Sequence, residues 1–368
     1  MKEKSNSGIL FPETITYTFD YQQKNFWRCR YTSAKAKSLH YTILLPLDVK
    51  PISVEPALIE GCESIYTIGI YQTVVGSKSP FIEIAVTYEH IENDIDASEW
   101  LDYILMISGE TIIHSKDYYS ASGNYSDVLT KNDSDGNMVI SRIRVFKNYD
   151  FECKGANIIM VKVSCLLKNY ITLAEDMLHC ANFFTFINDS KWHLAEELKS
   201  INLDLPANFS FYYPATWKYL ERCINEEVSY LSLLLKKDNK TCGIIDGYFF
   251  HHEMVISKEQ ICEMIIKSIN NSKYVETETL LLTEKQCYIN RSVTKLWSAE
   301  LKANDAENKR CELTIIAGSI EENGFYLIGS SLPREQNFKL WATGKRAINI
   351  ILDSMNNYDL SHEDKFYV

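Results

Sequence analysis

The chain spells the same succession of signals twice. TILLPLD, from Thr42 to Asp48, lines up with SFYYPAT, from Ser210 to Thr216, and sets Pro46 over Pro214 at a separation of 168 residues. Each is an apolar strand stopped by a proline, which has no N–H for a ladder and turns the chain away. A strand then leads into a capped helix: FIEIAVTYEHIEND into DASEWLDYILMIS in the first half, CGIIDGYFFHHEMV into SKEQICEMIIKSI in the second. Asp96 with Glu99, and Ser257 with Gln260, fit the capping box, a short acceptor followed three residues on by a carboxylate or amide. The two caps lie 161 residues apart. Behind them, Trp100, Ile104 and Ile107, and again Ile261, Ile265 and Ile269, recur at helical spacing and mark core-facing stripes.

Each half continues with strands: ETIIHSKDYYSA, VISRIRVF and NIIMVKVSCLL, then YVETETLLL, ELTIIAGSI and GFYLIGSSL. Glu322-Asn323-Gly324 predicts a hairpin turn, because Asn and Gly tolerate positive φ. Each half closes with an amphipathic helix, YITLAEDMLHCANFFTFIN and FKLWATGKRAINIILDSM. Landmarks that keep both order and spacing indicate a tandem duplication. The connector falls near DSKWHLAEELKSINLDLPAN, where Asp189 to Glu197 is expected to form a short helix before Pro206. An extra strand, ITYTFDY, is expected ahead of the first repeat.

Composition narrows the function classes. Only 14 of 368 residues are glycine, which disfavours glycine-rich phosphate loops, and no GxSxG, Walker or GxGxxG motif is present. A formal net charge of −11 opposes a phosphate backbone, so no nucleic-acid partner is expected; the one basic stretch is KNFWRCRYTSAKAK, from Lys24 to Lys37. The ten cysteines form no CxxC pair, which fits a reduced, cytoplasmic chain. No run of 18 apolar residues occurs, so no membrane span is expected, and no signal peptide is read at the N-terminus.

Strand faces supply a candidate binding surface. Ile82, Ile84, Val86 and Tyr88 share one face of the first repeat's strand, with Glu83, Thr87 and Glu89 on a side expected to be solvated. At the 161-residue offset, Ile245, Gly247 and Phe249 take the core face, while Ile244, Tyr248 and Phe250 make the second face apolar too. Either a helix or the other repeat covers this second face, or it is a groove for a partner segment. In the groove reading Ile244, Tyr248 and Phe250, with Tyr326 on the neighbouring hairpin, are the anchors, since aromatics bury large area with few rotors to freeze.

Chemistry finds little footing. His251-His252-Glu253 leaves a strand, where adjacent side chains point to opposite sides, so it does not read as a zinc motif. His90, aligned with His251, points to a structural preference at that strand end. His179 and Cys180 diverge around their helix and make no dyad. Neither a metal, a cofactor nor a catalytic residue is assigned, and the chain is expected not to be an enzyme.

The opening FSFYYPATWKYL of the second half, with Phe211, Pro214 and Trp217, resembles the PsbP/DcrB-like family. The first half keeps Pro46 but has Val49 where that family has its aromatic. The resemblance implies an α+β fold of two tandem α/β/α-sandwich repeats, each with a central antiparallel sheet flanked by helices. The repeats would span residues 1–198 and 199–357, ahead of a polar tail at 358–368. It also implies binding rather than catalysis, and a possible relation to the Eag-type secretion chaperones, cytoplasmic proteins that hold apolar effector segments. The expected function is therefore a chaperone or adaptor for a secreted or membrane-destined protein client. A scaffold component of a secretion machine and a hydrolase-like enzyme are the alternatives. The oligomeric state is left open.

Overall fold

The computed structural model describes residues 8–52, 57–58, 64–120, 123–134, 136–190, 192, 194–203, 208–224, 228–237, 240–251, 257–272, 274–276 and 279–357. The chain divides into two units, Met1–Ala195 and Glu196–Val368.

In the first unit a short helix α1 (Phe19–Asn25) precedes β1 (Phe26–Tyr31), β2 (Tyr41–Pro46), β3 (Val49–Ile52), β4 (Ala57–Leu58), β5 (Ile65–Thr73) and β6 (Ile82–Ile91). Helix α2 (Ala97–Ile107) follows, then β7 (Thr111–Ser120), β8 (Gly123–Ser134), β9 (Asn137–Tyr149), β10 (Ala156–Leu166), helix α3 (Leu167–Asn182) and β11 (Thr185–Phe186). The main sheet has the order β3-β5-β6-β10-β9-β8-β7, with β4 beside β5, and a small sheet has the order β1-β2-β11. Every pairing in them is antiparallel. Strand β2 alternates, burying Tyr41, Ile43 and Leu45, as a strand with one core face must. Central strand β10 is buried continuously from Ala156 to Val161 because layers cover both of its faces. The small sheet and α3 pack on one face of the main sheet through Ile43, Ile84, Val161 and Met177, and α2 packs on β7, β8 and β9.

The second unit repeats this plan. It runs β12 (Leu198–Leu203), β13 (Phe209–Pro214), β14 (Trp217–Ile224), β15 (Val228–Lys237), β16 (Lys240–His251) and α4 (Lys258–Asn271). Then come β17 (Val275–Glu276), β18 (Thr283–Glu284), β19 (Val293–Asn304), β20 (Arg310–Ile320), β21 (Asn323–Ser331), α5 (Phe338–Ser354) and β22 (Asn356–Asn357). Its sheets, β14-β15-β16-β21-β20-β19-β17 with β18 beside β19, and β12-β13-β22, keep the strand order of the first unit. The two-repeat α+β architecture is therefore present, with a small three-stranded sheet added to each repeat.

The landmarks fall into place. Strands β2 and β13 both end on their prolines, and the residues three positions on, Val49 and Trp217, are both buried in their cores. His90 lies opposite Asn157 across β6 and β10 and shares a 3.1 Å hydrogen bond with it. His251 lies opposite Asn323 across β16 and β21 with the same bond at 3.0 Å. The recurrent strand-end histidine is thus a cross-strand pair.

Several expectations are corrected. ITYTFDY is not a strand: its first part is irregular and its end enters α1, while the first strand begins at Phe26. The described residues between Asp189 and Glu197 form bends rather than a helix; Pro206 lies outside the described residues, as does the tail 358–368. Ser257 and Gln260 make the expected reciprocal cap, but Asp96 accepts the backbone N–H of Asn124 on β8 instead of capping its own helix. Ile107 is exposed, and α2 packs through Trp100, Leu101, Ile104 and Leu105. The second hairpin turns at Glu321-Glu322, with Asn323 already paired to Ile320, so the positive φ falls on Glu321.

Candidate functional site

The aromatic groove expected from the sequence is filled from within the unit. Phe250 and Tyr326 are each 3% exposed, and Ile244 and Tyr248 are half-buried. Helix α4 lays Ile261, Ile265 and Ile269 against Phe250 and Tyr326. Tyr248 stacks on Tyr326 with centroids 4.5 Å apart, and the Tyr326 hydroxyl shares a 2.8 Å hydrogen bond with Ser268 of α4. Phe250 and Tyr326 are thus core residues beneath a helix and present no open groove. The apolar second face had a simple cause: each repeat's own first long helix covers it.

The corresponding face of the first unit is polar yet equally covered. Thr87 and Glu89, expected in solvent, are both 3% exposed. Glu89 accepts the indole N–H of Trp100 on α2 at 2.5 Å and the hydroxyl of Ser64. Nearby, Lys147 and Asp94 form a fully buried ion pair at 2.9 Å, and Asp94 also accepts the backbone N–H of Ala195. An isolated buried charge costs several kcal/mol, so such groups persist only when paired and hydrogen-bonded.

The surface that stands out was missed in the sequence. The β5–β6 hairpin carries Val74 and Val75 on one side of its turn and Phe81 on the other, and all are exposed, Val75 completely. Val74 donates its N–H to the carbonyl of Asp48 at 2.8 Å, which places exposed Leu47 beside the same tip. The Ser77 hydroxyl donates to Asp48 at 2.6 Å. Against its partial burial, hydrogen bonds from Ser77 and Ser79 hold the Asp48 carboxyl below the usual carboxylate range. Gly76, at φ 86°, supplies the left-handed residue the turn needs. An apolar knob of Leu47, Val74, Val75 and Phe81 is therefore held in a fixed conformation. The equivalent β15–β16 hairpin ends instead in Lys236, Lys237 and Lys240. Comparing the two tips would have revealed the difference: VVGSKSPF against KKDNKT.

A second feature is the segment ahead of α1. Residues 8–18 form no ladder pairs but are held by side chains of three elements. His114 Nε2 on β7 donates to the Ile9 carbonyl at 3.0 Å, Tyr170 on α3 to that of Leu10, and Arg142 on β9 to that of Pro12 at 2.7 Å. The Phe11 ring stacks on His114 and lies 4.5 Å beneath the Arg142 guanidinium. Lys116 pairs with Glu13, Glu175 accepts from Thr16, and Asp176 accepts the Tyr17 hydroxyl at 2.6 Å. Burial raises the Asp176 carboxyl above its usual range despite that bond.

Chemically competent clusters are sparse. Among the described residues, no group of three His, Cys, Asp or Glu side chains is placed to hold a metal ion. His251 ends β16, while His252 and Glu253 lie outside the described residues. His179 is fully buried among Tyr17, Phe26 and Phe183 with neither ring nitrogen hydrogen-bonded, and burial lowers its pKa to about 4. Cys180 beside it is also fully buried, which raises its thiol far above the ordinary range. No described helix is long and apolar enough to cross a membrane.

No protein-family model and no curated protein matches the chain. Among solved structures, it is similar to the PsbP protein of the cyanobacterium Synechocystis at 9% identity, over 43% of this chain and 92% of that one, with a TM-score of 0.28. It is similar to the type VI secretion immunity protein TplEi of Pseudomonas aeruginosa at 10% identity, over 89% of this chain and 97% of that one, with a TM-score of 0.22. A chain of the Tle4–Tli4 complex shows 10% identity over 86% of this chain and 94% of its own, with a TM-score of 0.21. The architecture given above rests on strand order and register, not on overlaps of this size.

Proposed function

We propose that the chain is a non-catalytic protein-binding module that docks a protein client through the apolar tip of its β5–β6 hairpin. The tip carries the reading. Val74, Val75 and Phe81 are exposed on this turn, with exposed Leu47 of the β2–β3 turn beside them and Asp48 stiffening the contact, while the matching hairpin of the second unit is lysine-rich. A duplicated fold has no architectural need for such a tip in one copy only, and exposed apolar clusters mark sites of association. The client we assign is a component of a bacterial secretion system, the setting named for TplEi, and the chain would act on it in the cytoplasm as a chaperone or adaptor. Charge favours a client with a basic approach surface, given the net −11 of this chain.

The test is co-expression with a secreted protein encoded beside this gene, followed by size-exclusion chromatography of wild type and of Val75→Asp with Phe81→Asp. Both residues are exposed, so the double variant should keep its thermal transition and lose at least tenfold in affinity. Binding unchanged in the folded variant would reject the tip as the docking site.

A further inference from the structure

We propose that residues 8–18 are a stand-in ligand, and that the face they cover docks an extended segment of a partner carrying an aromatic residue followed two positions later by a carboxylate. The inference rests on the protein-binding reading above and adds a second site, its ligand chemistry and its control. Three observations carry it.

First, the receptor is built independently of its occupant. Arg142 is 1% exposed, and Asp127 clamps it by two bonds, Nε to Oδ1 at 3.0 Å and Nη2 to Oδ2 at 2.7 Å. That bidentate pair fixes the guanidinium plane, and its free edge reaches the Pro12 carbonyl while its face covers the Phe11 ring. His114 closes the other side of the ring at a centroid distance of 5.4 Å, and Lys116 takes the carboxylate of Glu13. A face that grips main-chain carbonyls with side chains, sandwiches one ring and pairs one acid reads a short linear pattern.

Second, the occupant joins no ladder: it contributes no strand to either sheet and Leu10 within it is 57% exposed, and it rests on the first unit's core only through the side chains of Ile9, Phe11 and Tyr17. Third, the second unit keeps the same strand order and begins at Glu196, two residues before β12, so among the described residues it carries no such arm of its own. The sandwich therefore forms without such an arm, and the arm of the first unit calls for a different reason.

The probe is a fluorescent synthetic peptide of residues 8–18, titrated by anisotropy against two full-length chains. One is native; the other carries Phe11→Ala, Thr16→Ala and Tyr17→Phe, which weaken the arm's own hold. The native chain should ignore the peptide, because a tethered arm acts at high effective concentration. The weakened chain should bind it saturably, and a peptide with its own Phe11→Ala should bind at least tenfold more weakly. Four results overturn the proposal. They are no binding by a weakened chain that keeps its cooperative transition, equal binding of both peptides, loss of that transition in the weakened chain, and elution of the native chain as an arm-exchanged dimer. The β5–β6 tip takes no part in this titration, so failure here leaves the client experiment to stand or fall alone.

Discussion

Single residues set the sharpest constraints, and His179 is the clearest. Its ring is enclosed by Tyr17, Phe26 and Phe183, and burial lowers its pKa to about 4 from the ordinary 6.5. The unfolded chain therefore takes up a proton first as pH falls. Stability is intact above about pH 6.5, declines as pH drops toward 4 and levels off below it, an effect of order 2–3 kcal/mol. Replacing the ring by an apolar one, His179→Phe, should flatten urea midpoints measured across that window. A slope unchanged from wild type would contradict the assignment. Gly155 constrains the chain differently. It sits at φ 125°, and a Cβ there would meet the Ile91 carbonyl at 2.4 Å and the His90 ring at 2.9 Å. Gly155→Ala should cost about 2 kcal/mol or more through strain and collision, read as a lowered thermal midpoint.

At the scale of elements, what was legible followed local physics and what was not followed distant contacts. The proline-stopped strands β2 and β13, the Ser257 cap and the closing helices announce themselves in a few consecutive residues. Strands β8 and β19 escaped notice because lysines, asparagines and serines interrupt their alternation; their place comes from pairing with β9 and β20. Glu89 read as solvent-facing because its partner Trp100 lies across a turn on α2. The groove of Tyr248, Phe250 and Tyr326 failed for the converse reason: apolarity of a strand face does not say which element covers it, and α4 does. ITYTFDY reads as a strand, but its end enters α1, and Thr16 and Tyr17 are held by Glu175 and Asp176, 159 positions away. Beneath α2, the Asp94–Lys147 pair makes its own prediction. Asp94→Asn removes the carboxylate paired with a fully buried ammonium and should cost about 3–5 kcal/mol. Replacing both partners by apolar residues of similar volume should recover most of that loss in a chemical denaturation series.

At the scale of the whole chain, duplication has let the two copies diverge where folding does not constrain them. Each unit has its own core, one around Tyr41, Ile84, Val161 and Met177, the other around Phe211, Ile245, Phe325 and Ile348. Among the described residues, every ladder pairing stays within its unit. Among the described residues, the apolar hairpin tip and the arm of residues 8–18 lie in the first unit, and the matching β15–β16 hairpin carries Lys236, Lys237 and Lys240 instead. The proposed docking surfaces both fall in the first unit, so a division of labour is expected in which the second unit is not needed to hold the client. Self-contained cores of this size are sufficient for independent cooperative folding. Residues 196–368 expressed alone should therefore unfold in a single sigmoidal urea transition with dispersed amide resonances, and should not bind the client that the full chain retains. A second unit that stays unfolded by itself, or that captures the client without the first, would break the link between duplication and function drawn here.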